Sequence, residues 1–514
     1  MSLLSVPSTT GRGEPQRAGR LRVQVESTAR GPSDPLRVYE ALSRTRRQGD
    51  VYLLESLDGP EQDRLSAAVG WGLLAELRVY ADRVELTAGP ELADALSDAL
   101  AAGPSRSAAD GSGTRVWAVS GPDEVWEILR RVQDAFEVDT DVPADTFAFG
   151  FLTTLSYEAA WSMEQLPQSQ DEAGLPRCTL ALFRETLWYD VPTGTVRHLS
   201  ARSGAWPADT GRPLEDVLAE AASPPAGDAD VPPAPAPRTV RDSVDEETFA
   251  KRVDRCLRHI QVGDSYQIQI GHRIDVETDL TPGQVYRRLR HRNPSPYMYL
   301  VPWAGRTVIG ASPELFIRIE NDTLSMRPIA GTAPRAADPA EDARRVAGLR
   351  ASAKEQAEHV MLVDLCRNDI GRVCVPGTLD VTSMMEVEPF AYVHHLVSTV
   401  TGRITAATDI WSAVCATFPA GTMTGAPKLR AMEIINDIED DTRGIYAGAL
   451  GVVDVRGFAM LALCIRTAVH DGRRYSTQAS AGVVADSTPA GEWRETLAKM
   501  SATYWALTGE ELLP

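Results

Sequence analysis

Apolar positions along this chain change period several times, and each change predicts an element. In ASAKEQAEHVMLVDLCRNDIGR (351–372), Glu355, Glu358, Met361, Leu362 and Leu365 recur at helical spacing, and no Gly or Pro interrupts until the end. EETFAKRVDRCLRHIQVGD reads as an amphipathic helix ending near Gly263, and AGEWRETLAKMSATYWALTG as a helix closing the chain. SYQIQIGHRIDV alternates with period two, the pattern of a half-buried strand. YMYLVPWAGRTVIGAS and LFIRIENDTLSMRPIAG add strands separated by turn residues. VVDVRGFAMLALCIRTAVHDG and RYSTQASAGVVADS predict further, adjacent strands.

In the first half, VYLLESL (51–57) predicts a strand. LLAELRVYADRVELTAG, ELADALSDALAA, TFAFGFLTTLSYEAAW and LALFRETLWYDVPTG continue a mixed α/β pattern. SPPAGDADVPPAPAPRTVRDSVD then breaks all periodicity with Pro, Ala and Asp, as a surface linker does. The expected organisation is a disordered tail (1–20), an N-terminal α/β region (21–221), a linker (222–245) and a strand-rich α+β domain (246–514).

Composition narrows the function. A length of 514 residues with 43% hydrophobic and 24% charged positions fits an ordinary globular protein with more than one domain. A net charge of −19 and pI near 5.0 exclude sequence-independent binding to nucleic acid and to anionic membrane. The six cysteines are scattered with no C-x-x-C pair, as buried thiols in a reducing compartment are. No apolar run approaches the roughly 18 to 20 residues of a membrane span, and the N-terminus lacks a signal-peptide core. A cytoplasmic location is expected.

Several residue groups carry candidate chemistry. Glu355 and Glu358 share one helix face, and Glu492 and Glu495 in GEWRETLAK form a second such pair. Each pair alone is more often solvated surface charge; together they offer hard oxygen ligands to one Mg²⁺. FPAGTMTGAPK (418–428) is a Gly- and Thr-rich turn entering a helix, either a structural turn or an anion cradle with the Thr422 hydroxyl. Arg466 lies in an apolar strand, as half of a structural ion pair or as a carboxylate clamp. His395 in VHHLVS is a core histidine or a general acid/base group. P-loop, Ser-His-Asp and dinucleotide-binding patterns are absent.

The ordered stretches SPELFIRI, RPIAGT, KEQAEHVMLVDLCRNDIGRV, HHLVSTVTG, FPAGTMTGAPK, RGIYAGALG, CIRTAV and QASAGVVADS make 245–510 resemble the chorismate-utilising enzymes over the whole of that length. LLES (53–56) and NPSPYM (293–298) extend the resemblance to anthranilate synthase large subunits. There, Leu54, Glu55, Ser56, Pro294, Ser295, Pro296, Tyr297 and Met298 would build a tryptophan feedback site. The resemblance implies a strand-rich chorismate-binding α+β fold with antiparallel sheets flanked by helices. It implies that Glu355, Glu358, Glu492 and Glu495 surround Mg²⁺, with Glu358 and Glu495 as direct ligands, and that the metal holds the ring carboxylate of chorismate. Tyr446 and Arg466 would hold the enolpyruvyl carboxylate. Thr422, Lys499 and the backbone at Ala481 and Gly482 would complete the pocket. Glu314 would protonate the departing C4 hydroxyl, and His395 would serve the later C2 deprotonation and pyruvate loss.

Two positions discriminate within the family resemblance. Gln267 stands where water-adding relatives look to use a Lys base. Ala330, followed by Gly331 and Thr332, stands where C4-aminating relatives carry a Lys nucleophile. What remains is ammonia attacking C2, supplied by a separate glutamine amidotransferase subunit, since this chain shows no Cys-His amidotransferase motif; an oligomer is expected. Ser480 in QASAG replaces a usual Gly, Met460-Leu461 a usual Asp-Thr pair, and Ser352 a common Asp. The first two departures are expected near the substrate. They favour an enzyme that releases 2-amino-2-deoxyisochorismate for a secondary-metabolite pathway. The alternative is an anthranilate synthase component I that continues to anthranilate. His395 and the tryptophan-site motifs speak for that alternative.

Overall fold

The computed structural model describes residues 20–100, 106–107, 113–164, 166–167, 171–172, 174–223 and 231–513. The expected tail falls on 1–19, outside the described residues. The fold is α+β: helices flank strands that join through one continuous hydrogen-bonded network. Among the described residues pairing is antiparallel except where Leu21–Arg30 runs parallel to Phe136–Asp139, so those of the N-terminal region do not form the parallel sheet of a true α/β unit.

The centre of the second half is the ribbon of Gln267–Glu277 against Tyr475–Val483. Register places Gln269 opposite Gly482, Gly271 opposite Ser480 and Arg273 opposite Gln478 on one face. Ile268, Ile270, His272, Ile274 and Val276 occupy the other, as the period-two pattern requires. That face is covered by the helices Glu246–Gln261, Lys428–Ile438 and Pro489–Thr508. Phe249, Val253, Ile435 and Ile438 pack on Ile268 and Ile270, and Met500, Tyr504 and Leu507 on Ile274 and Val276.

The two halves are stitched strand to strand. Val51–Glu55 pairs with Tyr297–Trp303, and Gly150–Leu155 pairs with Ala449–Asp454. Residues 224–230 of the expected linker lie outside the described residues. Its later part forms the strand Thr239–Asp242, which adds to the edge of Gln267–Glu277. The strand network therefore runs across the expected domain boundary.

The helix expected over 351–372 is Ala353–Gly371, separated at Ser352 from a preceding helix, Pro339–Ala351. Ser352 adopts extended backbone and its hydroxyl accepts a hydrogen bond from the Glu355 amide at 3.3 Å. Ser and Asp are both strong N-caps, so the departure at this position preserves the helix start. The six cysteines are free, four of them buried, with Cys374 and Cys415 half-buried. No described helix is long and apolar enough to cross a membrane.

One glycine pins the FPAGTMTGAPK turn to the ribbon. Gly425 has φ +134°, and a Cβ there would lie 2.0 Å from the Gln267 carbonyl oxygen. The alanine it excludes would push Gly425–Ala426 off its pairing with Gln267–Ile268. Gly425→Ala is expected to cost about 2–5 kcal/mol in stability. Gly283→Ala, in a helical first turn with nothing within 4 Å of the new Cβ, is expected to be neutral or slightly stabilising. Thermal denaturation of both variants checks the contrast.

Candidate active site

Arg466 organises the site. It sits between two strands with φ +52°, a left-handed conformation unusual for a residue with a side chain. The residue is half-buried, and among the described residues its guanidinium makes no ion pair and no hydrogen bond. Burial lowers its pKa, while Tyr446, Glu495 and Glu314 pull it back up. The structural ion pair is thus not formed, and a partly desolvated cation without a partner, next to a phenol, can receive an anion.

Glu314 follows the strand Arg306–Ser312 and is buried. Burial pushes its pKa up to about 8, against the Thr422 hydroxyl and Ile329 amide, which hold it down. Thr422 donates to Glu314 Oε1 at 3.0 Å from the short 3₁₀ turn Gly421–Met423. At neutral pH the group is a carboxylic acid with a proton to give.

His395 lies on the strand Val393–Arg403, with Nδ1 2.9 Å from the Gly331 carbonyl and 3.1 Å from the Thr332 hydroxyl. A carbonyl only accepts, so Nδ1 carries the hydrogen and Nε2 keeps a lone pair. Burial pushes its pKa down to about 4, with the charges of Arg466 and Lys499 adding to the effect, and the imidazole is neutral. Gly331 has φ +62°, and a Cβ there would meet Glu355 Oε2 at 3.1 Å. The Ala330–Thr332 segment thus places the His395 ring and packs against the acidic helix at once.

The two Glu-x-x-Glu edges face each other. Burial raises the Glu358 pKa first, and Glu355, Glu495 and Glu492 raise it further. Burial likewise raises Glu492, with Glu495 adding to it. Glu358 Oε1 accepts from Gln267 Nε2 at 2.7 Å, and Glu495 pairs with Lys499 at 2.7 Å. Among the described residues no three such side chains converge into a metal-binding cluster as they stand. The donor set nevertheless fits a divalent cation: hard anionic oxygens repelling one another, with Glu492 Oε2 buried and lacking any hydrogen-bond partner.

Between these groups the ribbon contributes its polar face. The Tyr446 and Ser480 hydroxyls are 2.7 Å apart, and Ser480 Oγ lies 3.1 Å from Gln269 Oε1. Lys499 donates to the Ser480 carbonyl at 2.9 Å. Gly482 is needed for close approach, because a Cβ there would lie 2.7 Å from Gln267 Nε2 and 2.8 Å from Gln269 Nε2. Ala481, one residue before it, has its side chain buried.

Sequence reasoning missed Gln269, although its offset of two from Gln267 puts it on the same strand face. The Met460-Leu461 pair lies on the strand Ala459–Leu463, which pairs with Leu315–Glu320 just after Glu314. Leu461 is fully buried in the core, and Met460 packs with Tyr297 and Leu315, its sulfur 4.0 Å from the Ser66 hydroxyl. The two N-terminal-type motifs do meet: Met298 pairs with Glu55, and the Leu57 amide donates to the Ser295 carbonyl at 3.1 Å. The Glu55 carboxylate is buried and taken by Tyr286 at 2.6 Å and by Arg290 through two contacts of 3.0 Å. Beside it runs a second buried network, missed in the sequence. Tyr297 and Arg327 donate to Asp63, and Arg327 also donates to Glu388.

Comparison with known proteins accounts for this combination. The family of chorismate binding enzymes matches residues 87–504. The 2-amino-4-deoxychorismate synthase of Streptomyces globisporus is 47% identical over 507 residues, covering 97% of this chain and 98% of that protein. Anthranilate synthase component 1 of Streptomyces coelicolor is 51% identical over 267 residues, covering 52% of each chain. The crystal structure of anthranilate synthase component I from Streptococcus pneumoniae aligns with 90% of this chain and 96% of that one, at TM-score 0.69 and 28% identity. With a family match over most of its length and a relative similar from end to end, the chain belongs to the chorismate binding enzymes.

Proposed function

We propose that this enzyme aminates chorismate at C2 with ammonia delivered by a separate glutamine amidotransferase, and releases 2-amino-2-deoxyisochorismate. The observation that carries the reading is Gln267, whose amide is spent on Glu358 Oε1 at 2.7 Å. Gln cannot take a proton from water, whereas ammonia attacks with its own lone pair. Ala330 offers no amine for attack at C4. When ammonia bonds to C2, the ring π electrons shift toward C4. The C4 hydroxyl then leaves as water with the proton of Glu314, and the ammonium formed at C2 returns a proton. The product has an amine at C2 and no oxygen at C4, the compound that the name of the Streptomyces globisporus relative describes.

Arg466 would hold the enolpyruvyl carboxylate with Tyr446 beside it, and Lys499 and the Ala481–Gly482 backbone would border the ring. Glu355, Glu358, Glu492 and Glu495 would hold Mg²⁺, which supplies positive charge for the ring carboxylate of a dianionic substrate. The junction of Leu54–Ser56 with Pro294–Met298 is proposed as an effector site of the tryptophan type. The second reading, anthranilate synthase component I, is favoured by the free Nε2 lone pair of neutral His395, a base fit for the C2 proton.

Incubation with chorismate, Mg²⁺ and ammonium salt, followed by chromatography with mass and fluorescence detection, decides between them. A non-fluorescent product that keeps the enolpyruvyl group is expected. Anthranilate with equimolar pyruvate establishes the second reading instead.

Glu314 gives a pH signature. It must hold its proton to act, so with free ammonia held constant, turnover should persist through neutral pH and fall as pH rises through about 8. Glu314→Gln should lower turnover by about 10²–10⁴-fold and abolish that alkaline limb. For the metal, Glu358→Gln and Glu495→Gln should each remove calorimetric Mg²⁺ binding in the presence of chorismate. Parental Mg²⁺ affinity in both variants defeats the ligand assignment.

A further inference from the structure

Ser480 is buried with its hydroxyl between two groups, Tyr446 OH at 2.7 Å and Gln269 Oε1 at 3.1 Å. An amide oxygen only accepts, so the Ser480 hydrogen goes to Gln269. That leaves Ser480 Oγ with lone pairs alone, and the hydrogen between it and Tyr446 must be the phenol's. The chain of donors runs from Tyr446 to Ser480 to Gln269 and consumes the single hydrogen that Tyr446 has. What Tyr446 can still present beside Arg466 is an oxygen lone pair.

We propose that Ser480 is a product-determining positioning residue. By taking the Tyr446 hydrogen it withholds a donor from the enolpyruvyl end of the substrate, and the reaction stops after amination. The inference rests on the C2-amination reading above, with the enolpyruvyl carboxylate at Arg466 and its enolpyruvyl end beside Tyr446.

The two chemical steps differ in where charge grows. In amination the leaving group is the C4 hydroxyl, and the enolpyruvyl ether keeps all its bonds. In elimination the C2 proton passes to a base and its electron pair forms the C2–C3 double bond. The C3–O bond breaks, and enolpyruvate leaves with that pair, then takes up a proton at carbon to become pyruvate. Negative charge on the enolpyruvyl group therefore increases in the second step alone. A donor at that end lowers the second barrier and leaves the first largely as it was. One hydrogen bond to a charged group, made in the transition state, is worth about ten- to a hundredfold in rate. This also reconciles a competent base at His395 with a retained enolpyruvyl group: the base is present and the donor is diverted.

The test measures pyruvate and anthranilate released per chorismate consumed, with Mg²⁺ and ammonium salt. Ser480→Ala and Ser480→Gly free the Tyr446 hydroxyl and are expected to raise that ratio about tenfold or more. Gln269→Leu should raise it too, because Ser480, without its acceptor, can turn and donate to Tyr446. Adding Tyr446→Phe to Ser480→Ala should return the ratio to the parental level, which a merely structural effect of the Ser480 change would not do. A parental ratio in Ser480→Ala, Ser480→Gly and Gln269→Leu overturns the inference while the amination reading stands. So does a gain that survives Tyr446→Phe. Stoichiometric pyruvate from the parent enzyme overturns the amination reading itself, and this inference with it.

Discussion

The site depends on one physical arrangement, the two-faced ribbon of Gln267–Glu277 and Tyr475–Val483. Strand geometry sends alternate side chains to opposite faces, so a single register decides which residues are core and which are chemistry. Ile268, Ile270, Ile274 and Val276 anchor one face under three helices. That anchoring fixes Gln267, Gln269 and Ser480 on the other, opposite residues borne by quite different elements. A slip of one residue would turn the glutamines into the apolar helix contact and the isoleucines into the polar site. The cost of doing so holds Gln267 within 2.7 Å of Glu358, and it explains why glycines stand at 271, 425 and 482. At each of these a Cβ would collide with a neighbouring backbone carbonyl or glutamine amide.

Around that ribbon, the same desolvation produces three different chemical states. It disfavours charge wherever it acts. On Glu314 it yields an acid still protonated at neutral pH, and on His395 an imidazole that stays neutral and keeps a lone pair. On Arg466 it meets a group that does not give up its proton in a protein, so the cation persists and its need for a partner is passed to the ligand. In the proposed reading, the attraction of an acidic protein for a dianion would come from the Arg466 guanidinium, a nearby lysine and the proposed cation site, with the overall charge of −19 working against it.

Elements were legible in the sequence where a single period ran for many residues. The helices Glu246–Gln261 and Pro489–Thr508 and the strand Gln267–Glu277 follow directly from their patterns. The start at Ser352 left a local signal as well, Ser-Ala-Lys-Glu, the signature of a capped helix, at the head of the periodic stretch. The strand Thr239–Asp242 left none: it is short, exposed and polar, and owes its existence to the edge it pairs with. Arg466, His395 and the acidic pairs were readable as residue types with two meanings each, while Glu314 entered through the family resemblance alone. Which meaning holds depends on neighbours hundreds of positions away, and period carries no such information. The left-handed backbone at Arg466 and its missing counter-ion become visible in three dimensions alone.

Reaction choice within this fold then reduces to which atoms are free to donate or accept at a few fixed points. Gln267 has no basic lone pair to offer water, and Ala330 has no amine, so neither hydroxylation at C2 nor covalent amination at C4 is supported. Those two positions act through what the side chain lacks. Ser480 is of another kind. It adds no group that could touch a reacting bond, and works by fixing the direction of a hydrogen bond between two residues already there. Gln269 gives that direction its sense: with an amide oxygen at the end of the chain, each hydroxyl upstream has one consistent orientation. A product switch of this type needs no change in substrate contacts, metal ligands or catalytic acid. It is compatible with retaining every residue that the longer reaction would use, His395 included.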